Sequence, residues 1–150
     1  MKRTLIAVAM AFFGVGVAAA QQDTISARIA LMKANAKSMY GGLNQMVKET
    51  KPYDQAVVDT ALAQLEEAVG KLGSLYPDST KGLKSPVDDY SASAKIWDNK
   101  ADFESHISKL TKIVADSKSK INNLDALKAA YPTLNGGCIG CHEVYRLKNG

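Results

Sequence analysis

The residues of this 150-residue chain that could do chemistry stand together near its C-terminus, in Cys138-Ile139-Gly140-Cys141-His142. Both cysteines and one of the two histidines fall inside that run. Two thiols separated by two residues and followed at once by an imidazole are what covalent attachment of a haem through two thioether bonds requires, with the imidazole left to bind iron. On a helix the three side chains, at i, i+3 and i+4, lie on one face and can grip a single macrocycle. The pattern predicts one haem c held by Cys138 and Cys141, with His142 as an iron ligand. A thioredoxin-like redox pair needs a βαβ context, and no strand pattern surrounds these residues. A structural zinc site wants four protein ligands, and only three are supplied locally. His106, the other histidine, belongs to a separate helical segment, where a surface or boundary role is the expectation.

The elements that must position this motif follow an export signal. Lys2-Arg3, an apolar run from Thr4 to Val17 and Ala18-Ala19-Ala20 before Gln21 match a secretory signal peptide with its small-residue cleavage site. Residues 1–20 are therefore set aside as a signal, and 21–150 as one domain. The apolar run is short for a membrane span, so no stable membrane insertion is expected. The formal charge of +4 falls to +2 without Lys2 and Arg3. No basic block stands out, and nothing supports nucleic-acid binding. The scattered lysines suit a solvated face or docking to an acidic redox partner.

Four helical stripes are legible in the mature chain, each alternating threes and fours. The first runs through Ile25, Ile29, Met32, Ala36, Met39, Leu43 and Met46, weakened at Gly41-Gly42. The second, opened by Pro52 or Asp54, runs through Val58, Ala61, Leu65, Ala68, Leu72 and Leu75. A segment from Pro77 to about Ser93, rich in Ser, Asp, Lys, Gly and Pro, reads as a long loop that crosses the bundle end or covers a cofactor edge. Lys95-Ile96-Trp97 opens the third helix, whose stripe is Phe103, Ile107, Leu110 and Val114. Trp97 reads as packing at the helix entrance, or as a wall beside a haem. The fourth stripe is Leu124, Leu127, Tyr131, Leu134, Cys138, Cys141 and Tyr145. Pro132 and Gly136-Gly137 predict a kink or break between Tyr131 and Gly137, then a helix to about Leu147. The expected fold is all-α, an antiparallel four-helix bundle with its cofactor between facing helices.

With the motif at the end of such a chain, the sequence resembles the cytochrome c-prime family, the class II c-type cytochromes, over its whole mature length. Carrying the resemblance are Cys138-Ile139-Gly140-Cys141-His142 with Tyr145-Arg146, Lys51-Pro52-Tyr53-Asp54 and Lys95-Ile96-Trp97. The resemblance implies haem attachment outside the bacterial cytoplasm, in the periplasm, and a monomer or a homodimer formed through the first two helices. It also implies one of two iron sites: five-coordinate, with an apolar residue facing an open position that takes nitric oxide or carbon monoxide, or six-coordinate, with a methionine there. In an up-down-up-down bundle the end of the last helix lies level with the start of the first. That puts Met32 level with His142, with Met39 roughly 10 Å and Met46 roughly 21 Å further along. The Leu31-Met32 pair is similar to what low-spin members carry, so Met32 is the candidate sixth ligand, and Ile29 the apolar neighbour if the site is open. Arg28, one turn before Met32, is a partner for a haem propionate or a solvated arginine. Arg146 matches a basic position after the family's motif and either tunes the iron site electrostatically or caps the last helix. The functional expectation is electron transfer with redox partner proteins, without a catalytic acid, base or nucleophile.

Overall fold

The computed structural model describes residues 4–85 and 87–149, with side chains from residue 18 onward. The signal-like run before Ala18 thus lies outside the described side chains, and the expected boundary after residue 20 falls within the first helix. Helix α1 (Thr4–Ala36) continues through a π-helical segment, Lys37–Leu43, into α2 (Asn44–Val47). The chain turns at Glu49, whose φ of 56° is left-handed. Asp54, not Pro52, then caps α3 (Gln55–Leu72), its carboxylate accepting from the amides of Ala56 and Val57. Two 3₁₀ turns follow, Gly73–Leu75 and Asp78–Thr80.

Three expectations need correction. The loop after Pro77 holds a strand, β1 (Tyr90–Ala92), antiparallel to β2 (Arg146–Lys148), with Tyr90 opposite Lys148 and Ala92 opposite Arg146. The third helix is two helices, α4 (Lys95–Asp98) and α5 (Lys100–Lys120), parted at Asn99, whose side chain caps α5. The fourth helix, α6 (Leu124–Tyr145), runs unbroken through Pro132 and stops at Tyr145 rather than Leu147. Pro132 is exposed, so the carbonyl four residues back that it leaves without an amide donor lies on the solvent side. Buried Leu127, Tyr131 and Leu134 hold the opposite face on both sides of it.

α3 packs on α5, α5 on α6, and the first helix on α3. The ring of four closes where α2 and the π-helical segment meet α6. Below that closure lies the larger core, with Met39, Leu43, Met46, Leu62, Val114, Leu127 and Leu134 all buried. Each such side chain removed from water contributes about 1.5–3 kcal/mol. A second core of Ile96, Phe103 and Tyr145, flanked by Tyr76 and Trp97, lies around the ribbon and α4. Trp97 keeps to the packing role, its indole donating to the carbonyls of Tyr76 (3.1 Å) and Pro77 (3.2 Å).

The stripe positions Ile29, Met32 and Ala36 are not among the buried residues, although their neighbours along the helix are. They line a cavity. Gly137, just before the motif, brings α6 close to α5: a Cβ there would stand 2.9 Å from Leu110 Cδ1 and 3.3 Å from Ile113 Cδ1, whereas at Gly136 it would meet nothing within 4 Å. Gly136→Ala is therefore expected to raise stability by about 0.5–1 kcal/mol through helix propensity alone. Gly137→Ala should lose that gain to crowding. Urea unfolding of the two variants side by side checks the difference.

Candidate haem site

Cys138, Cys141 and His142 occupy the last two turns of α6 and line one wall of a cavity of about 630 Å³. Both cysteines are half-buried and unpaired. Burial pushes both thiols above the ordinary cysteine range, and at Cys141 the neighbouring Cys138 and Asp102 add to it. His142 is lowered, first by burial and then by Arg146. An imidazole held neutral in this way keeps a nitrogen lone pair for a metal.

Ile29, Met32 and Ala36 of α1 line the same cavity, with Leu65 and Val69 of α3, Val114 of α5, Leu134 of α6 and the rings of Tyr76, Phe103 and Tyr145. These three rings meet edge to face, with centroids 5.0 Å (Tyr76–Phe103) and 5.1 Å (Phe103–Tyr145) apart. Tyr90, Ser91 and Ala92 of the ribbon line the cavity too, so the segment expected to cover a cofactor edge does reach it.

Arg28 is buried, 7 % exposed, which removes the solvated reading. Its Nε donates to the carbonyl of Leu75 (3.1 Å), its Nη2 to Thr80 Oγ1 (3.0 Å), and its guanidinium lies 4.1 Å from the centre of the Tyr76 ring. Burial lowers its pKa, against a smaller opposing effect of Tyr76. The residue thus ties α1 to the turns after α3 while bordering the cavity. Arg146 is exposed, with its guanidinium 4.2 Å over the Tyr90 ring, and it too borders the cavity. Its backbone amide donates to the carbonyl of His142 and ends α6, so capping is done by its main chain. His106 is not part of the lining. Its Nδ1–H donates to the carbonyl of Asp102 (2.9 Å), and its ring meets that of Tyr145 edge-on, in keeping with a boundary histidine.

Sequence reading missed Tyr76 and Asn35 as lining residues. Tyr76 falls four residues after Leu72, so continuing that stripe one step would have found it. Asn35, three residues after Met32, carries a buried Oδ1 without a hydrogen-bond partner. Its polarity hid it among the apolar positions.

A large, mainly apolar space with two thiols and an imidazole on one wall fits a covalently held macrocycle and little else. The sequence profile described as Cytochrome C' matches residues 23–146. The chain belongs to the cytochrome c' family. It is 42% identical over 149 residues to cytochrome c-555 of Bradyrhizobium diazoefficiens, covering 99% of each chain. It is 41% identical over 150 residues to cytochrome c-556 of Rhodopseudomonas palustris, covering all of both. The NMR-validated structural model of oxidised R. palustris cytochrome c556 superposes with a TM-score of 0.75 at 43% identity, over 86% of this chain and 99% of that one. As a member of the family the protein carries haem c and is an electron-transport cytochrome, not an enzyme.

Tyr145, whose hydroxyl donates to the Asp102 carboxylate, is pushed up to about 12 by burial and then by that carboxylate. An unfolded tyrosine ionises near pH 10. Between about pH 10 and 12 the unfolded chain therefore releases this proton while the folded chain keeps it, and stability falls as pH rises through that window. Below it the contribution is fully present. Tyr145→Phe should show a shallower alkaline loss of stability than the wild type, measured as thermal unfolding midpoints from pH 9 upward.

Proposed function

We propose that the protein is exported to the periplasm, with residues 1–20 removed, and carries single electrons between redox partner proteins through a low-spin haem ligated by His142 and Met32. The observation that carries this reading is that Met32 and His142, from the first and last helices, line one cavity. When bound, the haem supplies one-electron redox chemistry at its iron. The chain's own contribution is to fix the two ligands and keep water out. Cys138 and Cys141 anchor the macrocycle by thioether bonds, so its position follows α6 rather than a binding equilibrium. A thioether from Met32 opposite an imidazole is a ligand pair that raises the potential of electron-carrying cytochromes.

Arg28, on this reading, offers its remaining guanidinium donors to a haem propionate, since Leu75 and Thr80 hold only Nε and Nη2. Arg146, held over Tyr90 at the cavity rim, places a positive charge near the iron-binding end of α6 and tunes it electrostatically. Among the described residues no helix is long and apolar enough to cross a membrane.

The test is an absorption spectrum of ferric and ferrous protein, with and without carbon monoxide, on the wild type and on Met32→Ala. The expected wild type is low-spin and indifferent to the gas, and Met32→Ala becomes high-spin and binds it. A wild type that is already high-spin and takes carbon monoxide replaces this reading with a five-coordinate gas-binding cytochrome.

A further inference from the structure

Between Met32 and the larger core the first helix is not α-helical, because Lys37–Leu43 is wound as a π-helix. A π turn closes from i to i+5 and so takes in about one residue more than an α turn. In α-helical terms one residue is roughly 100° of rotation, so the face presented above the segment is turned relative to the face below it. Its two glycines do not require it: a Cβ at Gly41 or Gly42 meets no atom nearer than 3.8 Å, and neither glycine has a positive φ.

The segment sits where the first helix changes partners. Within it Met39 and Leu43 are buried in the core, and below it α2 packs on α6 and buries Met46. Above it, α1 packs on α3 and on the two 3₁₀ turns, leaving the cavity between itself and the end of α6. Tyr40, inside the segment, donates its hydroxyl to Asn135 Oδ1 on α6 at 3.1 Å, three residues before Cys138. At the other end Arg28 fastens α1 to Leu75 and Thr80. Met32 lies between these two fixed points, one α-helical turn after Arg28 and shortly before the π-helical segment.

We infer that the π-helical segment, clasped to α6 by Tyr40 and Asn135, is the element that turns Met32 towards the iron and holds it there. This deepens the reading of Met32 as the sixth ligand and rests on it. The residues concerned position the ligand and touch neither the iron nor the macrocycle's attachment. Deleting Gly41 removes the extra residue and lets the segment wind as an α-helix, which rotates Met32 away, whereas Gly41→Ala keeps the length.

The experiment compares haem-loaded wild type, the Gly41 deletion, Gly41→Ala and Tyr40→Phe by ferric spin state and ferrous carbon monoxide affinity, with circular dichroism as a check on helix content. Apparent gas affinity rises in proportion to the fraction of iron left open. The deletion is expected to be high-spin, with affinity raised on the order of tenfold or more, and Gly41→Ala to stay low-spin. Tyr40→Phe should raise the affinity severalfold with helix content unchanged. A deletion variant that folds and stays low-spin with wild-type gas affinity overturns the inference. Should the deletion fail to fold, wild-type gas affinity in Tyr40→Phe overturns it instead. Failure of Met32 ligation itself is read separately, from a high-spin wild type or from an unchanged spectrum in Met32→Ala.

Discussion

The structure depends on keeping about 630 Å³ open inside a bundle of this size. Residual cavity volume in a protein core costs about 24 cal/mol per Å³. That figure applies to a closed, dry space, and this cavity opens to solvent, so its cost is smaller. Ile29, Leu65, Val69 and Phe103 suit a large apolar occupant, with Arg28, Lys33 and Arg146 at hand for a polar edge. Covalent attachment of the haem makes its place permanent, because the macrocycle can no longer leave without breaking bonds.

Two separate cores make the opening possible. The larger one lies where the helices meet, and several of its members, Leu65, Val114 and Leu134 among them, also line the cavity. The smaller one is aromatic, and its rings are locked by specific partners. Arg28 covers one face of Tyr76, Trp97 donates to the carbonyls of Tyr76 and Pro77, and Tyr145 donates to Asp102. Edge-to-face pairs of this kind contribute about 0.5–1.5 kcal/mol each beyond the area they bury. More to the point, rings held by hydrogen bonds and neighbours do not collapse into an adjacent space as free aliphatic side chains would. The cavity keeps its shape because its upper wall is rigid.

Much of this was legible in the sequence, for a physical reason. Bundle helices must each bury one stripe, and the spacing of Val58, Ala61, Leu65 and Ala68 or of Leu127, Tyr131 and Leu134 leaves one way to do so. The motif was legible because two thiols and an imidazole at fixed spacing have few uses. The ribbon was not, since strands of three residues lie below any period-2 signal and Tyr90-Ser91-Ala92 sits in a Ser- and Asp-rich stretch. Pro132 misled because the lost hydrogen bond and ring clash are local costs, and the burial of Leu127, Tyr131 and Leu134 on both sides outweighs them. Arg28 was ambiguous for a similar reason: an arginine among apolar residues reads as exposed unless the chain elsewhere supplies acceptors, and those come from Leu75 and Thr80, far along the sequence.

The periodicity of the first helix also concealed the feature on which the cavity turns. Ile25, Ile29, Met32, Ala36, Met39, Leu43 and Met46 read as one stripe, yet they do two jobs, core packing from within the π-helical segment onward and cavity lining before it, with Met39 doing both. A stripe is a statement about spacing along the chain, and it assumes that every turn contains the same number of residues. Where one turn takes in an extra residue, the spacing is unchanged on paper while the direction of each side chain beyond it differs. The glycines at 41 and 42 carry no Cβ to hold the winding by packing, so the choice between α and π falls to contacts outside the helix, with α3 and with Asn135 of α6. The course of the first helix is therefore a tertiary property, shared among its contacts with α3, the Arg28 bonds to Leu75 and Thr80, and the Tyr40–Asn135 bond to α6.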